Sequence, residues 1–287
     1  MSVFDKVLRR VSLAVSWRPA SHPFISGDTF RSFADHVFEN GRLHSRNGVN
    51  KSGGIYFCET HRLEEFAKAI IPNIGRPFIL ISHNSDAVLR EDHFGILESK
   101  LLVRWFAQNS YIQSQKVVVI PIGLENYWMR MNGKPSDYRQ RGSCERSERM
   151  PRILYGFTIA NNPEERQRAM RVLESSTFAD QVVLSPTEYR KTLSNYMYVA
   201  SPSGNGVDCH RTWEALYLGA IPIVADHKFY SQFVNFPGLV LSEWSDLLKF
   251  SQSDLIDLYN EKVSVLRGAN YIWSDYWRMQ IEMTIGR

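Results

Sequence analysis

The stretch Ser201-Pro-Ser-Gly-Asn-Gly-Val-Asp-Cys-His-Arg-Thr-Trp-Glu-Ala-Leu-Tyr-Leu-Gly-Ala-Ile-Pro-Ile-Val224 reads as a strand end, a glycine-bearing loop, a helix and a second buried strand. Upstream, Tyr196-Met-Tyr-Val-Ala200 is a short apolar run closed by Pro202 and Gly204, the pattern of a buried parallel strand. Gly204 and Gly206 permit a tight turn and close backbone approach to a ligand. Asp208 is the expected N-cap of a helix from about Cys209 to Leu218, with Gly219 as its stop and Pro222 beyond. A glycine loop feeding a helix N-terminus favours anions, because unsatisfied N–H groups and the helix dipole both point at it. His210 and Arg211 in the first turn oppose that dipole, so they are poorly explained as helix stabilisers and well explained as facing an anion such as a diphosphate.

Working outward, strand and helix runs alternate on both sides of this segment. Gly54–Cys58, Pro77–Ile81, Leu102–Phe106 and Val117–Ile120 read as strands, and His61–Ile71 as an amphipathic helix. Later come a strand at Arg152–Gly156, a helix at Pro163–Leu173, a strand at Gln181–Leu184 and a helix at Thr187–Asn195. Leu239–Leu241 and two amphipathic segments, Asp254–Leu266 and Trp273–Thr284, close the chain. Such alternation predicts open, mostly parallel sheets with helices on their faces. Between Met129 and Arg152 the apolar runs vanish, and basic residues outnumber acidic ones seven to three. This reads as an inter-domain connection, either a solvated linker or a basic lip for an anionic glycan, a lipid-linked acceptor or a membrane surface. The expected domains are 1–148 and 149–287.

The motif Ser-Gly-Asn-Gly-Val-Asp-x-His-Arg-x-Trp-Glu-Ala-Leu-x-x-Gly-x-Ile-Pro-Ile-Val resembles the donor-binding segment of exostosin-type glycosyltransferases and their bacterial polysaccharide relatives. The close match covers about Tyr196 to Asp226, with a looser one over the C-terminal half. The resemblance implies a GT-B-like α/β fold, with two Rossmann-type domains whose mostly parallel sheets face a cleft. It also implies transfer of a hexosyl-type sugar from a nucleotide-sugar donor to a glycan or lipid-linked acceptor in surface polysaccharide synthesis. In that role Ser203, Gly204, Asn205, Gly206, Asp208, His210 and Arg211 are the expected donor-binding residues, the loop N–H groups, His210 and Arg211 facing the diphosphate, and Glu214 takes the ribose hydroxyls. A second loop, Gly156 to Asn162 with Arg166 following, ends the first strand of this half. Loops at the carboxyl ends of neighbouring strands converge, so Gly156, Thr158, Asn161 and Arg166 are further donor candidates. Asn161 or Asn162 equally suits the cap of the next helix.

On the N-terminal side, Ile81-Ser-His-Asn-Ser-Asp86 places titratable groups at a strand's carboxyl end, so His83 and Asp86 are the candidate bases for an acceptor hydroxyl. Glu59, His61 and Glu125 are alternates, each also readable as a cap or turn residue. Asp28 reads as a turn. No Asp-x-Asp occurs in the chain, so no metal cofactor is expected and Arg211 with the helix start takes the ion's place. A dinucleotide fingerprint is absent as well, since Gly204-Asn-Gly206 lacks the third glycine.

Composition sets the remaining bounds. The 287 residues are 44% hydrophobic, 22% charged and 13% aromatic, enough for a proper core. A net charge of +4 is too mild to imply nucleic acid. Cys58, Cys144 and Cys209 fit no metal spacing and suggest a reducing compartment. With no signal peptide and no membrane-length apolar run, a cytoplasmic enzyme is expected, with peripheral contact at the inner face of the membrane as a further expectation. Phe4, Leu8, Val11 and Val15 share a helical face that suits either a packed first helix or such a membrane contact. Two rival functions stay open, a non-catalytic nucleotide-sugar or glycan-binding protein and a nucleotide-sugar epimerase.

Overall fold

The computed structural model describes residues 18–46, 53–91, 94–129, 132–139 and 149–286. The amphipathic face at Phe4–Val15, Cys144 and residues 140–148 of the basic connection lie outside them. Two compact units emerge, residues 1–133 with 271–287, and residues 134–270.

In the first unit, helix α1 (Gly27–Phe33) is followed by strands β1 (His36–Glu39), β2 (Arg42–Ser45) and β3 (Gly54–Glu59). Helix α2 (Leu63–Ala69) and strands β4 (Phe78–His83), β5 (Leu102–Gln108) and β6 (Val117–Ile120) complete its sheet, ordered β2-β1-β3-β4-β5-β6. β1 and β2 form an antiparallel hairpin, and the other neighbours pair in parallel. Asn40-Gly41 makes that hairpin tight, both residues taking positive φ (50° and 71°). Side-chain alternation sends each strand's residues to opposite faces. Tyr56, Cys58, Phe78, Leu80 and Trp105 pack on one side. Ile55, Phe57, Ile79, Ile81, Phe106 and Ile120 pack on the other, against Phe30 of α1. A sheet buried on both faces requires continuous apolar runs, which is how these strands read.

The second unit carries strands β7 (Met150–Tyr155), β8 (Ala179–Gln181), β9 (Tyr196–Ala200), β10 (Ile221–Val224) and β11 (Leu239–Val240), all parallel. Helices α3 (Pro163–Ser175), α4 (Pro186–Leu193), α5 (His210–Leu218), α6 (His227–Tyr230) and α7 (Gln252–Gly268) connect and cover them. The order is β11-β10-β9-β7-β8. Crossovers from β7 run one way to β8, and from β9 onward the other way. The chain therefore reverses direction between β7 and β9, the switch point outside which open α/β sheets bind ligands. The parallel strands of the first sheet follow in chain order, without such a reversal.

The domain boundaries differ from the expected ones at both ends. Helix α8 (Ser274–Thr284) belongs to the first unit, because Trp277 and Ile281 are buried in the Phe30–Ile81 layer. Ser274 N–H donates to Pro23 O at 3.0 Å, and Phe24 lies 5.8 Å from Trp273. The second unit starts at Lys134 rather than 149. Within the expected linker a 3-10 turn, Pro135–Tyr138, buries Tyr138 against Tyr217 and pairs Asp137 with Arg190 at 2.6 Å. Two of the linker's arginines are structural. Arg149 donates to Leu218 O (2.6 Å) and Tyr196 O (3.0 Å), a cation at the C-terminus of α5. Arg152 grips Asp180 through two 2.5 Å bonds.

Other local expectations shift by a few residues. β8 ends at Gln181, because its rungs with β7 run only from Ile153–Ala179 to Tyr155–Gln181; Val183 stands 95% exposed. Asp28 is not in a turn: it lies in the first turn of α1, which Ser26 caps by accepting from Thr29 N–H. Asp208 is not the cap of α5. Cys209 holds that place without a side-chain cap bond, and the Asp208 carboxylate accepts the Trp213 indole N–H (2.8 and 2.9 Å) and Cys209 N–H. A buried indole donor needs a partner, and Asp208 meets that need. Gly219 stops α5 as expected, at φ 77°.

Candidate functional site

The two loops at the switch point are the Gly156–Asn162 loop after β7 and the Ser201–Cys209 loop after β9. Arg166, near the start of α3, bridges them. Its Nη1 donates to Thr158 O (2.7 Å) and its Nε to Ser203 O (2.9 Å), with only 6% of the residue exposed. Pro163 at the first turn and Asn162, whose side chain accepts from Glu165 N–H, fix where α3 begins and so where Arg166 points. Asn162 rather than Asn161 is the cap. Asn161 lies in the preceding 3-10 turn and is exposed, as is Thr158.

Arg211 enters the same region from α5. Its Nη2 donates to Gly156 O at 2.9 Å, and its guanidinium lies 5.9 Å from the ring centres of both Phe157 and Tyr189. Arg166 stands 5.8 Å from the ring centre of Phe157, so the two guanidiniums share one aromatic ring. Burial pushes the pKa of Arg166 down, and the Arg211 charge adds to that effect. Their hydrogen bonds run to main-chain carbonyls, and among the described residues neither guanidinium is ion-paired with a carboxylate. The buried Nε of Arg211 has no hydrogen-bond partner. Burial works against the Arg211 charge, but neighbours that include Glu214 hold its pKa above the ordinary value, so the site pairs two nearby cations, one N–H left over and no carboxylate bonded to either guanidinium.

The glycine loop serves this arrangement differently from a plain N–H cradle. Ser203 N–H is held by Glu165 Oε1 (3.0 Å), and Gly204 N–H by Gly206 O (3.1 Å). Gly204 is needed for space, since a Cβ there would stand 2.9 Å from Arg166 Nη2. Asn205 is exposed, Gly206 is buried, and His210 is half-buried in the first turn of α5. Cys209 Sγ donates to Pro202 O (3.5 Å), and burial pushes its thiol up to about 11, so it is neutral. Glu214 is buried one turn beyond Arg211, beside the Tyr138 hydroxyl. Burial first, and the Glu214 charge second, push the Tyr138 phenol well above its ordinary range. Asp208, facing Trp213, points away from a donor role.

The structure thus brings Gly156, Thr158, Arg166, Ser203, Gly204 and Arg211 together through direct contacts. Phe157, Tyr189, Glu165 and Tyr138 were not singled out from the sequence. A lone aromatic or glutamate carries no positional signal until the loops that hold it are folded.

In the first unit, His83 is buried and both ring nitrogens are engaged. Nδ1 accepts Asn84 N–H (2.7 Å), which leaves Nε2 to donate to Pro121 O (3.2 Å). The ring also packs on Phe30 at 5.5 Å. This geometry makes His83 a tie between β4 and the segment after β6, and leaves its basic nitrogen occupied. Asp86 is exposed. Glu59 pairs with Arg62 (3.2 Å), and Glu125 accepts Asn132 N–H (2.6 Å). Asp28, by contrast, is fully buried, with Asn84 Nδ2 (3.3 Å) and Arg18 Nη1 (3.5 Å) at Oδ1 and no partner at Oδ2. Burial raises its pKa, against the opposing effect of Arg18.

Among the described residues no group of three or more His, Cys, Asp or Glu side chains is arranged to hold a metal ion. Among them, too, no helix is long and apolar enough to cross a membrane. No protein-family model matches the chain, and no curated protein matches it in sequence. Among solved structures it is similar to an alpha,alpha-trehalose-phosphate synthase (UDP-forming) from Burkholderia vietnamiensis. That similarity has a TM-score of 0.46 at 9% identity, over 83% of this chain and 76% of the other. What stands plainly is the architecture, a mixed α/β chain of two units with mostly parallel sheets.

Proposed function

We propose that the chain is a nucleotide-sugar-dependent glycosyltransferase of the GT-B type, with the donor diphosphate held by the second unit. The observation that carries this reading is the pair Arg166 and Arg211, set across the β7/β9 switch point without a bonded carboxylate. A diphosphate supplies the missing charge, and its oxygens suit the planar fork of a guanidinium. As the glycosidic bond breaks, charge grows on the leaving diphosphate. Preorganised cations in a partly buried site stabilise that growth, which is the work a metal ion does elsewhere. In this reading Glu214 accepts the ribose hydroxyls, and His210 stands beside the phosphates. The exostosin-type resemblance supports a hexosyl-type transfer in polysaccharide synthesis, with a glycan or lipid-linked acceptor, and it rests on the motif at Tyr196–Asp226.

A thermal-shift series with UDP, GDP, CMP and dTDP tests the donor site, because a ligand that binds only the native state raises the melting temperature. One nucleotide should raise it and the others much less. No shift with any of them removes the reading. A second reading is favoured by one observation: the His83 ring nitrogens are both committed, so the expected base of the first unit is tied into the fold. A non-catalytic nucleotide-sugar-binding protein would show the same thermal shift and no release of nucleotide from any donor sugar.

A further inference from the structure

Tyr189 sits in the first half of α4, and its place there is fixed from the sequence upward. Ser185 and Glu188 cap the helix reciprocally, Pro186 opens it, and Tyr189 N–H donates to Ser185 O at 2.8 Å. The ring packs against the layer of Leu154, Leu193, Val199 and Ala215. Its hydroxyl is buried and has no hydrogen-bond partner, and the same is true of Arg211 Nε. These two atoms belong to touching side chains, since the guanidinium lies 5.9 Å from the Tyr189 ring centre. One leaves a donor N–H unpaired and the other an oxygen that can accept. Burial pushes the Tyr189 phenol up to about 12, against the pull of the Arg211 charge, so the hydroxyl is neutral. Unpaired polar atoms in the interior are costly and uncommon. A donor and an acceptor on adjacent groups that do not meet mark a geometry completed only when something moves.

The group free to move is the guanidinium. Nη2 spends an N–H on Gly156 O at 2.9 Å, and Nε is the one nitrogen of Arg211 that is both buried and unpaired. An incoming anion therefore meets the Nη edge, while Nε faces the protein. A fork that pivots from the Gly156 carbonyl towards an anion carries Nε with it, and Tyr189 Oη is the unused acceptor beside it. We propose that Tyr189 is a positioning residue for Arg211, its hydroxyl accepting the Nε–H once an anion holds the Nη edge. The tyrosine does not touch the ligand. Two atoms unpaired in the free protein pair with each other in the bound one, so anion binding and closure of this contact favour each other. Lysine could not take part, because its ammonium has no second donor set back from the tip. This deepens the proposed function and rests on it for the identity of the anion.

The test titrates the full chain with UDP, GDP, CMP, dTDP and inorganic pyrophosphate by calorimetry, in wild type, Tyr189→Phe, Arg211→Met and the double variant. Phenylalanine keeps the ring against the guanidinium and removes only the oxygen. Tyr189→Phe should weaken pyrophosphate, and the nucleotide that binds the wild type, by about three- to tenfold, the worth of one hydrogen bond. Without ligand it should melt no lower than wild type, because the hydroxyl it removes has no partner there. In the Arg211→Met background the same substitution should leave affinity unchanged. By NMR, the Arg211 Nε–H resonance, assigned by its absence from Arg211→Met, should move further downfield with pyrophosphate in wild type than in Tyr189→Phe. A merely structural tyrosine would lower the ligand-free melting temperature and shift affinity equally in both backgrounds. Either result overturns the proposal, as do equal Nε–H shifts or unchanged affinity in Tyr189→Phe. If the wild type binds neither pyrophosphate nor any nucleotide, the donor reading falls and this role falls with it. If it binds one and Tyr189→Phe binds as tightly, only the role of the tyrosine falls.

Discussion

Replacing Arg211 by methionine removes its charge while keeping an apolar stem against Phe157 and Tyr189. In the unliganded protein the variant loses one hydrogen bond, to Gly156 O, for about 0.5–1.5 kcal/mol. Two gains offset this loss. A half-buried guanidinium with an unpaired Nε no longer needs desolvating, and the repulsion it exerts on Arg166 disappears, while the attraction between its charge and Glu214 is given up. The expected change in fold stability is therefore within about 1 kcal/mol of zero. Binding is a different matter, because a charge-assisted bond to phosphate is worth about 1.5–3 kcal/mol. Nucleotide affinity should fall by about ten- to 150-fold, measured by calorimetry with whichever nucleotide shifts the wild-type melting temperature. Arg166→Met supplies the contrast. It severs the bonds to Thr158 O and Ser203 O that tie the two loops together, so stability should drop by about 1–3 kcal/mol along with affinity. Wild-type affinity in Arg211→Met would show that the arginine pair is structural, and an Arg211→Met loss matched by an equal loss of fold would show the same.

Three further outcomes are expected. The pKa of Asp28 in the folded state lies above 3.8 because of burial, so the native state binds that proton more tightly than the unfolded chain. Its charge then costs stability at neutral pH, and the cost disappears as the pH falls through the raised value. Asp28→Asn should accordingly melt higher than wild type at pH 7, with the gap closing as the pH approaches 3.8; a variant that melts lower at pH 7 contradicts this sign. His83→Ala should cost about 1–3 kcal/mol through its lost bonds to Asn84 N–H and Pro121 O, read from the denaturant midpoint; an unchanged midpoint would contradict that structural role. Donor turnover should survive EDTA if, as proposed, the arginine pair carries the leaving-group charge, and loss on chelation with rescue by Mn²⁺ would refute that assignment.

The sequence by itself determined the strands that are buried on both faces, since runs such as Phe78–Ile81, Tyr196–Ala200 and Ile221–Val224 must be largely apolar to sit in a covered parallel sheet. It also determined the stop of α5, because Gly219 alone suits a left-handed residue beside Arg149. The glycine loop and Arg211 were legible for the same reason, being local features on adjacent turns. Which residues cap which helix was less so, because Asp208 could satisfy either the helix start or a buried indole five residues on, and the packing of Trp213 chose the second. The strand order was decided only in the tertiary structure. Alternation of strands and helices is the same whether successive crossovers run one way or reverse, so the switch point between β7 and β9 has no sequence signature. Without that reversal Arg166 and Arg211 are separate surface cations on two helices; with it they meet over Phe157. The same holds for α8, whose apolar stripe fits either unit's sheet until Trp277 and Ile281 find the Phe30 layer. Asp28 and Gln108 show the limit most plainly, since a carboxylate after Ser-Gly and a glutamine at a strand end look like surface residues, and only long-range packing puts their polar atoms out of reach of water.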